Sequence, residues 1–181
     1  MISNNEKSIV LRAQGGDREA VGTLWDMFTP KLFGYLMNTV RNRALAEDVL
    51  QATWLKAVDA LPRFESRGVS IGAWLFAIAR NECSEHWRKT GRETAFDIEE
   101  HDVPDVGGSK IENKILTDQI LASLSEDDRE LLRLRYIADL PVKDIANLLE
   151  LNFVTVRVRI HRAIANVRDI LISNNNKNYE K

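Results

Sequence analysis

Apolar residues recur at intervals of three and four along almost the whole chain, and alternating strand-like runs are nearly absent. This periodicity predicts an all-α fold. Glu6 to Ala13 makes a first helix, ended by Gly15-Gly16. Asp17 can cap the next one, because its carboxylate accepts an orphan backbone N–H. Ala20, Leu24, Trp25 and Phe28 form the apolar side of that helix, and Leu32, Phe33, Leu36, Met37 and Val40 continue it to about Arg41. Pro30 between them predicts a kink or a restart. Arg43 to Leu61 follows with two apolar faces, one of Leu50, Trp54, Ala57 and Leu61, the other of Leu45, Val49 and Ala52. A helix buried on two sides leaves a narrow stripe, here Asp48, Gln51, Leu55 and Asp59. That stripe reads either as a docking surface for a partner protein or as a plain solvated edge.

Pro62 to Ser70 is a loop that holds Arg63, Phe64 and Arg67. An aromatic between cations can stack on an unpaired base while its neighbours hold phosphate, or the ring can simply tuck into its own domain. Ser70 caps a helix from Ile71 to Lys89, with Phe76, Ala79, Cys83 and Trp87 as its core stripe. Trp74, Asn81 and Arg88 recur every seven residues on another side, with Arg80 nearby. Asparagine and arginine beside aromatics suit single-stranded nucleic acid, and a core Trp74 with solvated arginines is the other reading.

The helical period then stops. Glu93 to Asp105 carries six acids and no Lys or Arg, and Pro104 and Gly107-Gly108 follow the same break. Beyond it lie a helix from Lys110 to Leu124, a capping-box pattern at Ser125 and Asp128, and a helix from Glu130 to Ile137. The pattern therefore divides the chain into an N-terminal helical domain at 1–90, an acidic flexible linker at 91–110, a C-terminal helical domain at 111–173 and a polar tail at 174–181 that is expected to fray.

Pro141 to Arg168 predicts two helices joined by a tight turn. Pro141 suits a helix start, Ile145, Ala146, Leu148 and Leu149 make the first apolar side, and Glu150-Leu151-Asn152-Phe153 breaks the pattern. The second helix has Val156, Ile160, Ala163 or Ile164, and Val167 inward. Its outer face carries Arg157, Arg159, His161, Arg162 and Arg168, and no acid lies between Val154 and Arg168. A face of one sign suggests an anionic partner. Val158 falls among these arginines, where a methyl group gains nothing from water but can touch a thymine methyl in a major groove. The spacing is that of a helix-turn-helix, whose second helix reads base edges. The alternative is an ordinary helical hairpin with a basic solvated face.

Composition adds little that is global. The chain has 181 residues, 44% of them apolar, and a formal charge of -2, so the uneven placement of charge says more than its sum. The single cysteine excludes an intrachain disulfide and fits a reducing compartment. The N-terminus lacks a signal-peptide core, and no apolar run approaches the roughly 20 residues that span a bilayer. A cytoplasmic protein is expected. Cys83 and His86 sit one turn apart, but structural zinc takes four ligands, so no metal or other cofactor is expected. No phosphate-binding glycine loop, nucleophile elbow or zinc-protease motif is present, and the carboxylate pairs Glu99-Glu100 and Asp127-Asp128 lie in the linker and at a helix start. An enzyme is not expected.

Four stretches together resemble one family. Ala46 to Trp54 (AEDVLQATW), Trp74 to Arg88 (WLFAIARNECSEHWR), Ser125 to Tyr136 (SEDDRELLRLRY) and Asp144 to Ala163 (DIANLLELNFVTVRVRIHRA) resemble bacterial RNA polymerase sigma factors of the extracytoplasmic-function (ECF) type, in order and spacing. The resemblance implies a transcription initiation factor that binds core polymerase and directs it to promoters. Asp48, Gln51 and Leu55 would then dock the clamp helices of the polymerase largest subunit. Arg63, Phe64, Arg67, Trp74, Arg80, Asn81 and Arg88 would recognise and open the minus-ten element. Thr155, Arg157, Val158, His161 and Arg162 match the family positions that face the duplex minus-thirty-five element, and Arg159 joins them on the basic face. Release from an anti-sigma factor by a signal is also implied, and the acidic linker would thread toward the polymerase channels. Glu150 stands where the family often has Gly, which bears on the turn, and Phe153, Val154 and Val158 replace more polar residues, which bears on the promoter read. A stand-alone helix-turn-helix regulator is the competing function.

Overall fold

The computed structural model describes residues 4–66, 68–90, 120 and 123–179. The described residues are helical throughout their regular parts and include no strand. In the N-terminal half the helices are α1 (Asn4–Gln14), α2 (Arg18–Val40), α3 (Arg43–Ala60) and α4 (Ile71–Thr90), with a short 3₁₀ turn at Leu61–Arg63. The C-terminal half has α5 (Glu126–Leu132), a π turn (Arg133–Ile137), α6 (Val142–Leu148) and α7 (Phe153–Tyr179). The acidic stretch 91–110 lies outside the described residues.

Local chemistry sets these boundaries. Gly16, at φ +88°, ends α1, and the Asp17 carboxylate accepts the Glu19 and Ala20 N–H groups at 3.0 and 3.2 Å to start α2. Arg41 turns the chain in the left-handed region at φ 50°, and the Asn42 side chain caps α3 through the Leu45 N–H at 3.0 Å. Pro30 does not divide α2, which runs unbroken through it. Leu24 on one side of it and Leu32 and Leu36 on the other are all buried in one core, and that packing holds the helix together despite the missing N–H. Ser70 caps α4 through the Ala73 N–H, and Ser125 caps α5 through the Asp128 N–H. The Ser125 hydroxyl also donates to the Asp128 carboxylate, a variant of the capping box expected there.

The core of the N-terminal half is built by Leu32, Tyr35 and Leu36 of α2, Ala46, Val49, Trp54 and Ala57 of α3, and Ile71, Leu75, Phe76, Ala79 and Cys83 of α4. Each large apolar side chain buried this way contributes roughly 1.5–3 kcal/mol. Tyr35 meets Phe76 edge-on, and Trp25 lies against Trp54. The same core continues into the C-terminal half through Leu131, Leu134, Leu140, Ile145 and Val156.

The two halves meet along a seam where α2 and α4 face the π turn and α6. Glycines let the backbones approach. A Cβ on Gly34 would stand 3.2 Å from Ile137 Cγ2, and one on Gly72 would stand 3.0 Å from the Phe28 ring and 3.5 Å from Leu140. Polar links flank this contact. The Tyr35 hydroxyl donates to Glu130 at 2.7 Å, Lys31 pairs with Asp139 at 3.0 Å, and the Ser70 hydroxyl donates to the buried Asp144. Burial first, and the Glu130 carboxylate second, hold the Tyr35 phenol well above its ordinary pKa.

Candidate nucleic-acid interface

Helix α6, the turn after it and α7 form the predicted helix-turn-helix. Pro141 sits one residue before α6, in extended conformation, rather than inside it. The turn closes α6 with two bonds: the Glu150 N–H to the Asn147 carbonyl at 3.3 Å and the Leu151 N–H to the Ala146 carbonyl at 2.9 Å. This pattern needs a left-handed residue between them, and Glu150 supplies it at φ 54°. The turn therefore keeps the glycine-type conformation without glycine. Asn152 then starts α7, accepting the Val154 N–H on its side chain at 2.8 Å and the Val156 N–H on its carbonyl at 3.0 Å.

Burial fixes which way α7 faces. Val156, Ile160 and Ala163 are buried, with Ile164 and Val167 half-buried behind them. Thr155, Arg157, His161 and Arg162 are exposed, and Val158 is 42% exposed between them. Arg157, His161 and Arg162 have no ion pair among the described residues. Arg159 differs: it is half-buried and reaches Asp128 at 2.8 Å and Asp127 at 3.4 Å, both in the first turn of α5. Its charge is answered inside the chain, so it braces α7 against α5 rather than standing free on the basic face. Past Arg168 the helix continues to Tyr179 where a frayed tail was expected; no Gly or Pro follows Val154 to stop it.

The second surface lies on the N-terminal half. Phe64 is half-buried and rests on Trp74 with ring centroids 4.9 Å apart. Arg63 is exposed and pairs weakly with Asp59 at 3.4 Å. Asn81 and Arg88 are exposed on α4 at seven-residue steps from Trp74, which is about 10 Å per step along the axis. Arg80 leans the other way, to 3.4 Å from Glu130 in the seam. Arg67 lies outside the described residues. On α3 the stripe of Asp48, Gln51, Leu55 and Asp59 is exposed throughout, with Leu55 67% exposed.

Cys83 is 1% exposed, and burial pushes its thiol up to about 12, so it is a neutral core side chain. No three His, Cys, Asp or Glu side chains come together as a metal site among the described residues, and no described helix is long and apolar enough to cross a membrane.

Residues 24–93 match the family model for Sigma-70 region 2, and residues 115–167 match Sigma-70, region 4. The ECF RNA polymerase sigma factor SigD of Mycobacterium tuberculosis is 30% identical over 92% of this chain and 84% of its own length. The chain belongs to the ECF sigma factors. The ECF RNA polymerase sigma factor BldN of Streptomyces coelicolor is 28% identical over 90% of this chain, which spans 64% of BldN's length. Among solved structures, the sigma factor RpoE in complex with the anti-sigma factor NepR from Bartonella quintana superimposes with a TM-score of 0.64 at 26% identity, over 83% of this chain and 96% of RpoE.

Two side-chain roles escaped the sequence reading of this ECF sigma factor. Asp127 and Asp128 were legible as a carboxylate pair at a helix start but not as the partners of Arg159, because periodicity names a face and not what stands opposite it. Gln14 carried no signal at all.

Proposed function

We propose that this protein binds core RNA polymerase in the cytoplasm and directs it to promoters without catalysis of its own. The observation that carries this reading is the outer face of α7, where Thr155, Arg157, Val158, His161 and Arg162 stand exposed with no acid among them. Such a face fits a major groove, with arginine bidentate to guanine or held on phosphate and Val158 against a thymine methyl. Phe64, Trp74, Asn81 and Arg88, together with Arg63, Arg67 and Arg80, supply the minus-ten surface, where rings stack on unpaired bases. Asp48, Gln51 and Leu55 dock the polymerase clamp helices. An anti-sigma factor covers these surfaces until a signal releases the chain, as NepR binds RpoE.

The seam bears on how this works. A minus-ten and a minus-thirty-five element lie about 25 base pairs apart, or ~85 Å of duplex at ~3.4 Å per pair. A packed chain of this length has a radius of gyration of only about 16 Å. The halves therefore part when both elements are held, with 1–90 and 111–173 acting as separate domains. The linker at 91–110 can bridge about 70 Å at full extension, and the domains themselves span the rest. Parting the seam also frees Arg80 from Glu130 for DNA.

The test is reconstitution. Core polymerase with the purified chain should start transcripts at discrete sites, and core alone should not. Asp48→Ala with Gln51→Ala should weaken capture of core at least tenfold while leaving the melting temperature unchanged. A purified chain that binds duplex operator tightly without core, and never redirects core, would be a stand-alone regulator instead.

A further inference from the structure

The 3₁₀ turn at Leu61–Arg63 opens the loop that carries Phe64. One side chain grips it at two carbonyls. Gln14 Nε2 donates to the Phe64 carbonyl at 2.6 Å and to the Leu61 carbonyl at 3.2 Å. A primary amide has two N–H donors on one nitrogen, and both are spent on this loop. Leu61 O also accepts the Phe64 N–H at 3.0 Å, so the three groups lock one turn.

Gln14 is well placed to hold something still. It is the last residue of α1, whose Val10 and Ala13 are buried, and the Gly15-Gly16 stop with the Asp17 cap fixes where α1 ends. Helix α1 lies before the residues that match Sigma-70 region 2, which start at 24. The loop it grips presents Phe64 to Trp74 on one side and Arg63 to solvent on the other.

We propose that Gln14 is a positioning residue for single-strand capture: α1, through this amide, sets the height and tilt at which the Phe64 loop meets an unpaired base. The proposal rests on the minus-ten reading of that loop. Gln14 touches no nucleic acid itself. It acts by removing the freedom the loop would otherwise lose on binding, so its effect falls on strand capture and not on the duplex or on core.

The experiment uses the full chain. Gln14→Glu keeps the size of the side chain and removes both donors. Gln14→Lys restores a donor. In the first measurement, amide exchange over residues 61–66 is followed in the isolated protein. Gln14→Glu should speed it roughly tenfold, the scale of one to two lost hydrogen bonds, and Gln14→Lys should recover part of the protection. In the second, holoenzyme made with core binds a short non-template strand taken from the start site that wild-type holoenzyme uses most. Gln14→Glu should weaken that binding roughly tenfold, while core affinity stays at the wild-type value and the melting temperature falls by no more than the few degrees that the lost bonds cost. Unchanged exchange, unchanged strand affinity, or a parallel tenfold loss of core affinity each overturns the positioning role. A wild-type holoenzyme that captures no single strand overturns instead the minus-ten reading beneath it, and the exchange measurement still decides whether Gln14 holds the loop.

Discussion

The seam between the two halves and the outer face of α7 use the same kinds of side chain to opposite ends. In the seam, charged side chains meet partners. Glu130 receives the Tyr35 hydroxyl and Arg133 and stands near Arg80, while Lys31 meets Asp139. On α7, Arg157, His161 and Arg162 face outward with no acid opposite among the described residues. Arg159, on the same helix, belongs to the first pattern. The difference teaches that a basic residue is informative only when what faces it is known. Cations that are already paired hold the fold, and cations left over are available to a partner.

The sharpest way to break this comparison is to remove one cation from each pattern. Arg157→Ala should lower initiation at a promoter that depends on its minus-thirty-five element by roughly 1–3 kcal/mol of recognition. Arg159→Ala should cost thermal stability first, and promoter use only as far as α7 loosens from α5. Run-off transcription beside thermal melting separates the two, and equal losses of initiation at full stability would erase the distinction.

The seam can be opened without touching a charge. Gly34→Ala places a methyl 3.2 Å from Ile137 Cγ2, and overpacking of this kind costs roughly 1–3 kcal/mol. The same change favours helix α2 by about 1 kcal/mol. The expected outcome is a protein whose N-terminal half is intact but whose halves separate more often. The buried Cys83 thiol lies close enough to the seam to feel the Glu130 charge. Its rate of modification by a thiol reagent should rise several-fold in the variant and again when core binds. An unchanged rate in both would mean that the seam does not open.

The turn that aims α7 gives the smallest effect. Glu150 holds φ 54° with a Cβ, which costs about 1 kcal/mol against glycine. Glu150→Gly should raise the stability of the C-terminal half by about that amount in urea unfolding, with promoter choice unchanged. A change in promoter choice would show that the Glu150 side chain itself takes part in reading DNA.

Much of the fold was legible because it is local. The apolar stripes of Phe76, Ala79 and Cys83 and of Val156 and Ile160 lie where the helical period puts them. The break at Arg41 to Arg43 and the exposure of Asp48, Gln51 and Leu55 follow from the same count. What the period does not carry is which element stands opposite. Pro30 reads as a break until the core on both sides of it is known. Nothing in the spacing marks Asp144 as buried, yet it is, and it accepts the Ser70 hydroxyl. Spacing groups Arg80 with Asn81, yet Arg80 points toward Glu130. Gln14 reaches a turn some fifty residues away, and no spacing rule links the two.

The close approach at Gly34 and Gly72 has a thermodynamic consequence. Because both halves belong to one chain, each meets the other at an effective concentration in the millimolar range, and even a modest attraction keeps them together most of the time. Any ligand that requires them apart then binds with an apparent affinity reduced by the fraction already open. On the function proposed above, polymerase would supply one grip and a promoter the other, and joint engagement would overcome a tax that duplex alone meets unaided.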